Sequence, residues 1–300
     1  MRIFFATLLL AALAGAASAE PGKTACANPD ALGTSRVIEV GAPGGLHVGL
    51  KTYPQTLALA DKEVVLTFDD GPLPGLTGKA LDALAKECVR ATFFFIGRNA
   101  AASPEIVRRA AKEGHTIGHH SWSHPARTLR GLSPAAGIED IRRGIEATQR
   151  AAGQGEWTSG RPAAPFFRFP GFADTPETLA WLDAQGIAVF GADLWASDWL
   201  PQTPEAQLEL VMRRLAASHG GILLLHDIHA QTVAMLPALL RRLKHDGYRI
   251  VQIRPGADKP AVREAPAGWK SETGAFLDQA KPRPKRPAHA RSRPQRAHNG

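Results

Sequence analysis

The chain has 300 residues, 44% of them hydrophobic and 21% charged, with a formal net charge of +8. That suffices for one core of barrel or doubly wound size, and no second domain is required. Arg2, Lys281, Arg283, Lys285, Arg286, Arg291, Arg293 and Arg296 are eight of the 36 cations. The 28 that remain equal the 28 acids, so the folded part is neutral and no specific nucleic-acid partner is expected of it.

At the N-terminus, Met1–Ala19 combines Arg2, an apolar stretch over Ile3–Ala14 and the small-residue end Ala17-Ser18-Ala19. This is the pattern of a secretory signal peptide cut after Ala19, and it predicts an exported protein, periplasmic or secreted. The apolar run is shorter than the roughly 20 residues of a spanning helix, and no second long run follows, so no transmembrane segment is expected in the mature chain. Residues 20–62 read as an irregular N-terminal segment. The two cysteines, Cys26 and Cys88, can pair in an oxidising compartment and tie that segment to the core; the alternative is a buried free Cys88 with an incidental Cys26.

Over 63–256, short apolar runs alternate with longer amphipathic ones, the pattern of βα units around a parallel sheet. Seven strands are predicted: Val64–Phe68, Ala91–Ile96, Thr116–Gly118, Phe166–Phe169, Ala188–Gly191, Ile222–Leu225 and Arg249–Ile253. Ser103-Pro104, Ser133-Pro134, Thr175-Pro176 and Thr203-Pro204 each offer an N-cap hydroxyl and a proline at the first helical position. Gly114, Gly186, Gly220 and Gly247 mark helix ends. Residues 257–300 form a C-terminal extension, basic and without apolar periodicity from 281, so that stretch is expected to be disordered. A solvated tail is weighed there against electrostatic attachment to an anionic cell-surface polymer.

Both topologies open to seven βα units, a barrel and an open doubly wound sheet, carry functional residues at the carboxyl ends of strands. Those ends read Asp69-Asp70, His119-His120, Arg168, Asp193–Asp198 and His226-Asp227. Alternation along a strand lets Asp69 and Asp70 take different tasks, one holding a metal and the other facing its bound water. In "GHHSWSHP", His120 and His124 stand four apart; two imidazoles and a carboxylate leave an open coordination position, as catalytic zinc requires. His119 competes as a ligand, and His226 with His229 is a rival pair. Zinc acidifies water and polarises a carbonyl, leaving proton transfers to Asp69 and His226. Arg168 and Asp198 are candidates to orient these two groups.

The motifs "TFDDGP", "HSWSH", "RFPG", "SDW" and "LLLHD", in that order over Thr67–Asp227, resemble the five motifs of the polysaccharide deacetylases of carbohydrate esterase family four, also called the NodB-homology domain. The similarity runs from about Glu63 to Ile253. It implies an α/β fold, a distorted (β/α)7-type barrel with parallel strands and an outer layer of helices, and a hydrolase that removes acetyl groups from a glycan such as chitooligosaccharide or peptidoglycan. Position by position, the resemblance makes Asp69 the base, with Arg168 its partner, and His226 the acid, with Asp198 its partner. Asp70, His120 and His124 become ligands of one divalent ion, zinc first, with cobalt, nickel or manganese as alternatives. Trp199 and Leu224 would shape an acetyl pocket, Pro170 and Gly171 would meet substrate, and a backbone N–H near Gly171 would hold an oxyanion. Exposed aromatics such as Trp122, Trp195 and Trp199 could stack on sugar faces. Two positions depart from the family pattern: His119 stands where Asn is common, and Arg168-Phe169-Pro170-Gly171 where Arg-Pro-Pro-Tyr is usual. Competing readings are a catalytically silent glycan-binding protein, an O-acetyl esterase on xylan-type substrates, and a surface- or nucleic-acid-associated protein acting through its basic tail.

Overall fold

The architecture follows from which side chains of each strand point inward. A computed structural model of the protein describes residue 26, residues 28–157 and residues 160–274. The expected signal peptide and the basic stretch from 281 lie outside the described residues. The elements are, in order, β1 (Arg36–Val40), β2 (His47–Val48), β3 (Gln55–Leu57), β4 (Glu63–Asp69), α1 (Thr77–Lys86), β5 (Thr92–Phe95), α2 (Gly97–Ala102), α3 (Pro104–Lys112), β6 (Thr116–His119), α4 (Pro134–Ala151), β7 (Phe166–Phe167), α5 (Pro176–Ala184), β8 (Ala188–Phe190), β9 (Leu194–Trp195), α6 (Pro204–Ser218), β10 (Gly220–His226), α7 (Ala230–His245), β11 (Arg249–Pro255) and β12 (Val262–Glu264).

Ten strands form one parallel sheet in the order β1-β11-β4-β5-β6-β7-β8-β2, with β10 joining β4 to β9; β3 and β12 pair antiparallel beside it. No ladder among the described residues links β8 to β9, so the α/β barrel is distorted. All seven predicted strands are present. Residues 20–62, expected to be irregular, instead supply β1 against β11 and β2 against β8. The extension beyond 256 adds β12 against β3.

Period-two alternation divides the core. Val64, Leu66 and Phe68 of β4 and Leu223 and Leu225 of β10 join the cluster that includes side chains of α1, α3, α6 and α7. Val65, Ile222, Phe94, Phe166 and Phe190 fill a second cluster within the barrel. By the same alternation Thr67 and Asp69 follow Val65, Leu224 and His226 follow Ile222, and Arg168 follows Phe166 on the inner side. The barrel's inner surface therefore changes from hydrocarbon to ionisable groups at the carboxyl ends of its strands, which is where such folds place their chemistry.

The helix starts behave as the Ser/Thr-Pro pairs suggest. Ser133, Thr175 and Thr203 accept from the N–H groups of Ala136, Thr178 and Ala206. Ser103 precedes α3 but its hydroxyl makes no cap bond. Gly220 does not end α6: His219 takes the left-handed conformation there, with φ 60°, and Gly220 already pairs with Glu63 as the first residue of β10.

Cys26 and Cys88 form a disulfide with Cα atoms 5.8 Å apart. It anchors the chain just ahead of Leu32 and Gly33, whose N–H groups donate to the Glu87 carboxylate and carbonyl at 3.0 and 2.8 Å. Closing a loop across a sequence separation of 62 restricts the unfolded chain. The double variant Cys26→Ser/Cys88→Ser is expected to lose about 2–4 kcal/mol in urea unfolding. An unchanged unfolding midpoint would show that the bridge constrains nothing.

Candidate active site

The strand β4 ends at Asp69, and Asp70 then takes φ 76°, in the left-handed region that side chains other than glycine seldom adopt. This turn, rather than alternation along the strand, separates the tasks of the two acids. Asp69 stays on the barrel's inner face with 2% exposure, and Asp70 swings towards the loop after β6 while still lining the same cleft. Ser121, His124, Phe172 and Ser197 also have positive φ. Strained backbone of this kind concentrates where surrounding structure holds side chains to a task.

The loop carrying His120 and His124 is not helical; Asp140 of α4 organises it. Its carboxylate accepts from the N–H groups of Trp122 at 3.0 Å and Ser123 at 3.1 Å, while Ser121 Oγ accepts from the His124 N–H at 3.1 Å. His120 Nδ1 lies 2.7 Å from the Arg168 carbonyl. Since a carbonyl only accepts, that nitrogen carries the proton, and Nε2 of the neutral ring presents a lone pair.

Asp70 Oδ1 is 3.4 Å from Nε2 of both His120 and His124, and the three ligand atoms lie within 4.8 Å of one another. Asp70 Oδ1 is also a buried oxygen without a hydrogen-bond partner. Ligand atoms about 2.1 Å from a tetrahedral ion sit about 3.4 Å apart, so the spacing, the lone pair and the unpartnered oxygen all fit a divalent cation. Burial alone would raise the Asp70 pKa; His120, with His226 and His124, outweighs it and holds the carboxyl well below its usual range. Burial, then the charge of His120, lowers that of His124. Both effects favour the forms that ligate metal.

Asp69 and His226 flank this cluster. Asp69 Oδ1 accepts from Arg168 Nη1 at 2.8 Å, and Asp69 Oδ2 is 3.9 Å from His120 Nε2. Arg168 has no exposed surface; it also donates to Thr67 Oγ1 and to the carbonyls of Phe190 and Gly191, with its guanidinium 4.4 Å from the centre of the Phe94 ring. On the other side, His226 Nδ1 and Asp198 Oδ1 are 2.7 Å apart, and Asp198 Oδ2 accepts from the His226 N–H and the Thr232 hydroxyl. His226 Nε2 lies 3.8 Å from Asp70. Burial opposes the imidazolium, but Asp198, followed by Asp70 and Asp69, pushes the His226 pKa up to about 9.

A cleft of about 640 Å³ opens over these groups, lined also by Phe169, Gly171, Phe172, Trp195, Trp199, Leu224 and His229. Gly171 has φ 59°, and its N–H has no hydrogen-bond partner among the described residues. Trp199 is 46% exposed at the mouth, and Leu224 is buried at the floor. Pro170 is buried and does not line the cleft, a correction to its expected contact with substrate: the 3₁₀ turn Pro170–Phe172 presents its neighbours instead. Trp122 does not line it either; its ring lies 4.5 Å from the Arg143 guanidinium, outside the cleft. His119 turns away to the Ala164 carbonyl at 3.1 Å, and no metal-type cluster joins His226 with His229 among the described residues.

Sequence reasoning missed the cleft positions of Phe172, Glu272 and Thr273, and it named Asp227 as a strand-end acid without giving it a role. Asp227 accepts from the Thr77 hydroxyl, and burial pushes its pKa up to about 7. Its place beside His226 in "LLLHD" was the available signal.

A partly buried Asp–His–His cluster thus lies between the Arg168–Asp69 pair and the Asp198-supported His226, at the carboxyl ends of the barrel strands, an arrangement whose spacing fits a divalent cation. A family profile described as polysaccharide deacetylase matches residues 57–189. The chitin deacetylase of Colletotrichum lindemuthianum is 33% identical over 218 residues, 69% of this chain and 82% of the relative. The chain belongs to the polysaccharide deacetylase family. A peptidoglycan-N-acetylglucosamine deacetylase of Listeria monocytogenes is 32% identical over 65% of this chain, which spans only 39% of that relative's length. A solved peptidoglycan deacetylase of Bdellovibrio bacteriovorus superposes with a TM-score of 0.64 at 29% identity, over 74% of this chain and 59% of the other.

Arg168 and Asp69 are both buried, so removing one leaves the other as an uncompensated charge. Arg168→Met is expected to cost about 3–5 kcal/mol in chemical denaturation. A loss under about 1 kcal/mol, the range of exposed pairs, would contradict the pairing.

Proposed function

We propose that the chain is an exported, metal-dependent deacetylase that hydrolyses the N-acetyl group of an amino-sugar polymer, chitooligosaccharide or peptidoglycan. The observation that carries this reading is the Asp70–His120–His124 cluster, with Asp69 held by Arg168 on one side and His226 held by Asp198 on the other. Names of relatives that act on chitin and on peptidoglycan N-acetylglucosamine support the substrate class. The Cys26–Cys88 bridge supports export.

Asp70, His120 and His124 would hold the divalent ion, zinc in our reading. When bound, the ion supplies Lewis acidity, acidifying water and polarising the acetyl carbonyl. Asp69 takes the proton of the attacking water; its Arg168 contact fixes which oxygen faces the cleft. The Gly171 N–H is free to donate to the oxygen that becomes negative at the tetrahedral stage. His226 Nε2 passes its proton to the departing amine nitrogen, which would otherwise leave as an unstable anion, and Asp198 stabilises the imidazolium that does so. Leu224 and Trp199 give the acetyl methyl an apolar surround.

Acetate release from chitooligosaccharides, peptidoglycan and acetylated xylan, with and without a chelator, tests the reading. Release from an N-acetylated glycan should stop on chelation and return with added zinc, and Asp69→Asn should lower kcat by about 10²–10⁴. Chelator-resistant turnover, or release from xylan alone, would overturn it.

His226 must be protonated to donate. Its pKa is raised, so the acid form persists above the ordinary histidine range and is lost as pH rises through the shifted value. Positive charge at the Asp70 cluster would lower that limit. Asp198→Asn removes the carboxylate that supports the imidazolium, and the basic limb of kcat should move to lower pH. An unmoved limb would show that another group donates the proton.

A further inference from the structure

After β11 the chain returns to the cleft. Strand β12 pairs with β3, the Trp269 indole N–H donates to the Leu50 carbonyl at 2.7 Å, and the N–H groups of Glu272 and Thr273 both donate to the Lys51 carbonyl, at 3.0 and 3.1 Å. Thr273 is 4% exposed. The segment 269–273 is thus built into the wall of the barrel, and Glu272 and Thr273 line the cleft that holds Asp69, Asp70 and His226.

The Glu272 side chain has a particular setting. Its Oε1 accepts from Lys51 Nζ, and Lys51 sits 5.2 Å from the centre of the Trp195 ring, a cation over an aromatic face. One carboxylate oxygen is therefore tethered to the aromatic wall formed by Trp195 and the stacked Phe172. The other, Oε2, has no hydrogen-bond partner among the described residues, and the side chain is 55% exposed. A carboxylate oxygen in the same cleft as an exposed aromatic, here Trp199, suits a sugar ring: the aromatic takes the C–H face and the oxygen accepts from hydroxyl groups at the ring edge. The cleft volume of about 640 Å³ lies within the range of drug-sized ligand sites, so it admits more than an acetamido group.

We infer that the segment 269–273 forms a flanking sugar subsite, in which Glu272 accepts hydrogen bonds from the hydroxyls of the unit next to the one being deacetylated. This rests on the glycan deacetylase reading. It makes a C-terminal extension that the family match does not reach a determinant of chain-length preference.

The test is the ratio of kcat/KM for N-acetylchitohexaose to that for N-acetylglucosamine, which has no neighbouring unit, in the full chain and in Glu272→Ala and Glu272→Gln. Removing one charge-assisted hydrogen bond should lower the ratio about tenfold in Glu272→Ala. Glu272→Gln, which keeps an acceptor but not the charge, should fall in between and guards against misfolding of the first variant, which thermal melting also checks. A ratio unchanged in both variants overturns the subsite and leaves the deacetylase reading intact. A full chain that releases no acetate overturns that reading instead. The subsite is then judged by tryptophan fluorescence titration with chitohexaose: about tenfold weaker binding in Glu272→Ala supports it, and equal affinity, or no binding by the full chain, refutes it.

Discussion

A guanidinium with no exposed surface lies inside this barrel, and its residue positions both Asp69 and His120. The Arg168 side chain fixes Asp69 and borrows Thr67, Phe190 and Gly191 to satisfy its remaining donors. Its main-chain carbonyl fixes the His120 tautomer that leaves Nε2 free for a cation. Burying such a cation is costly unless it is paired and fully hydrogen-bonded, so the position of Asp69 is not adjustable without exposing that cost. One residue thereby sets the distance between Asp69, at the end of one strand, and His120, just after another.

The opposite side of the cleft is built by the same logic with the sign reversed. There a carboxylate, Asp198, is the buried organiser, and it holds both the ring and the N–H of His226. The Arg168 contact orients the Asp69 carboxylate, and the Asp198 carboxylate raises the His226 pKa. Two pairs of opposite design thus place a carboxylate and an imidazole on either side of one ligand cluster. In the proposed hydrolysis these are the two groups that would exchange protons with water and leaving group.

Much of this was legible in the sequence because the signals were local. Seven apolar runs gave the strands, Ser/Thr-Pro pairs gave the helix starts, and ionisable residues at successive strand ends marked the cleft. Alternation along β4 and β10 accounts for Asp69 and His226 facing inward. It does not account for Asp70, whose left-handed backbone follows from the turn and leaves no trace in hydrophobic periodicity. β2, two residues long, carries no periodic signal, and β1 and β2 exist because β11 and β8 offer them ladders. Glu272 was equally invisible: its partner, Lys51, is 221 residues away. Nothing in either neighbourhood announces the contact.

The account depends most directly on Asp70, His120 and His124 binding one cation together. A crystal structure of the protein equilibrated with zinc, with anomalous scattering recorded at the zinc edge, tests that claim. One strong peak within coordination distance of Asp70 Oδ1 and both Nε2 atoms, lost in Asp70→Ala, is the predicted result. Zinc bound elsewhere, or by fewer than these three side chains, would contradict it.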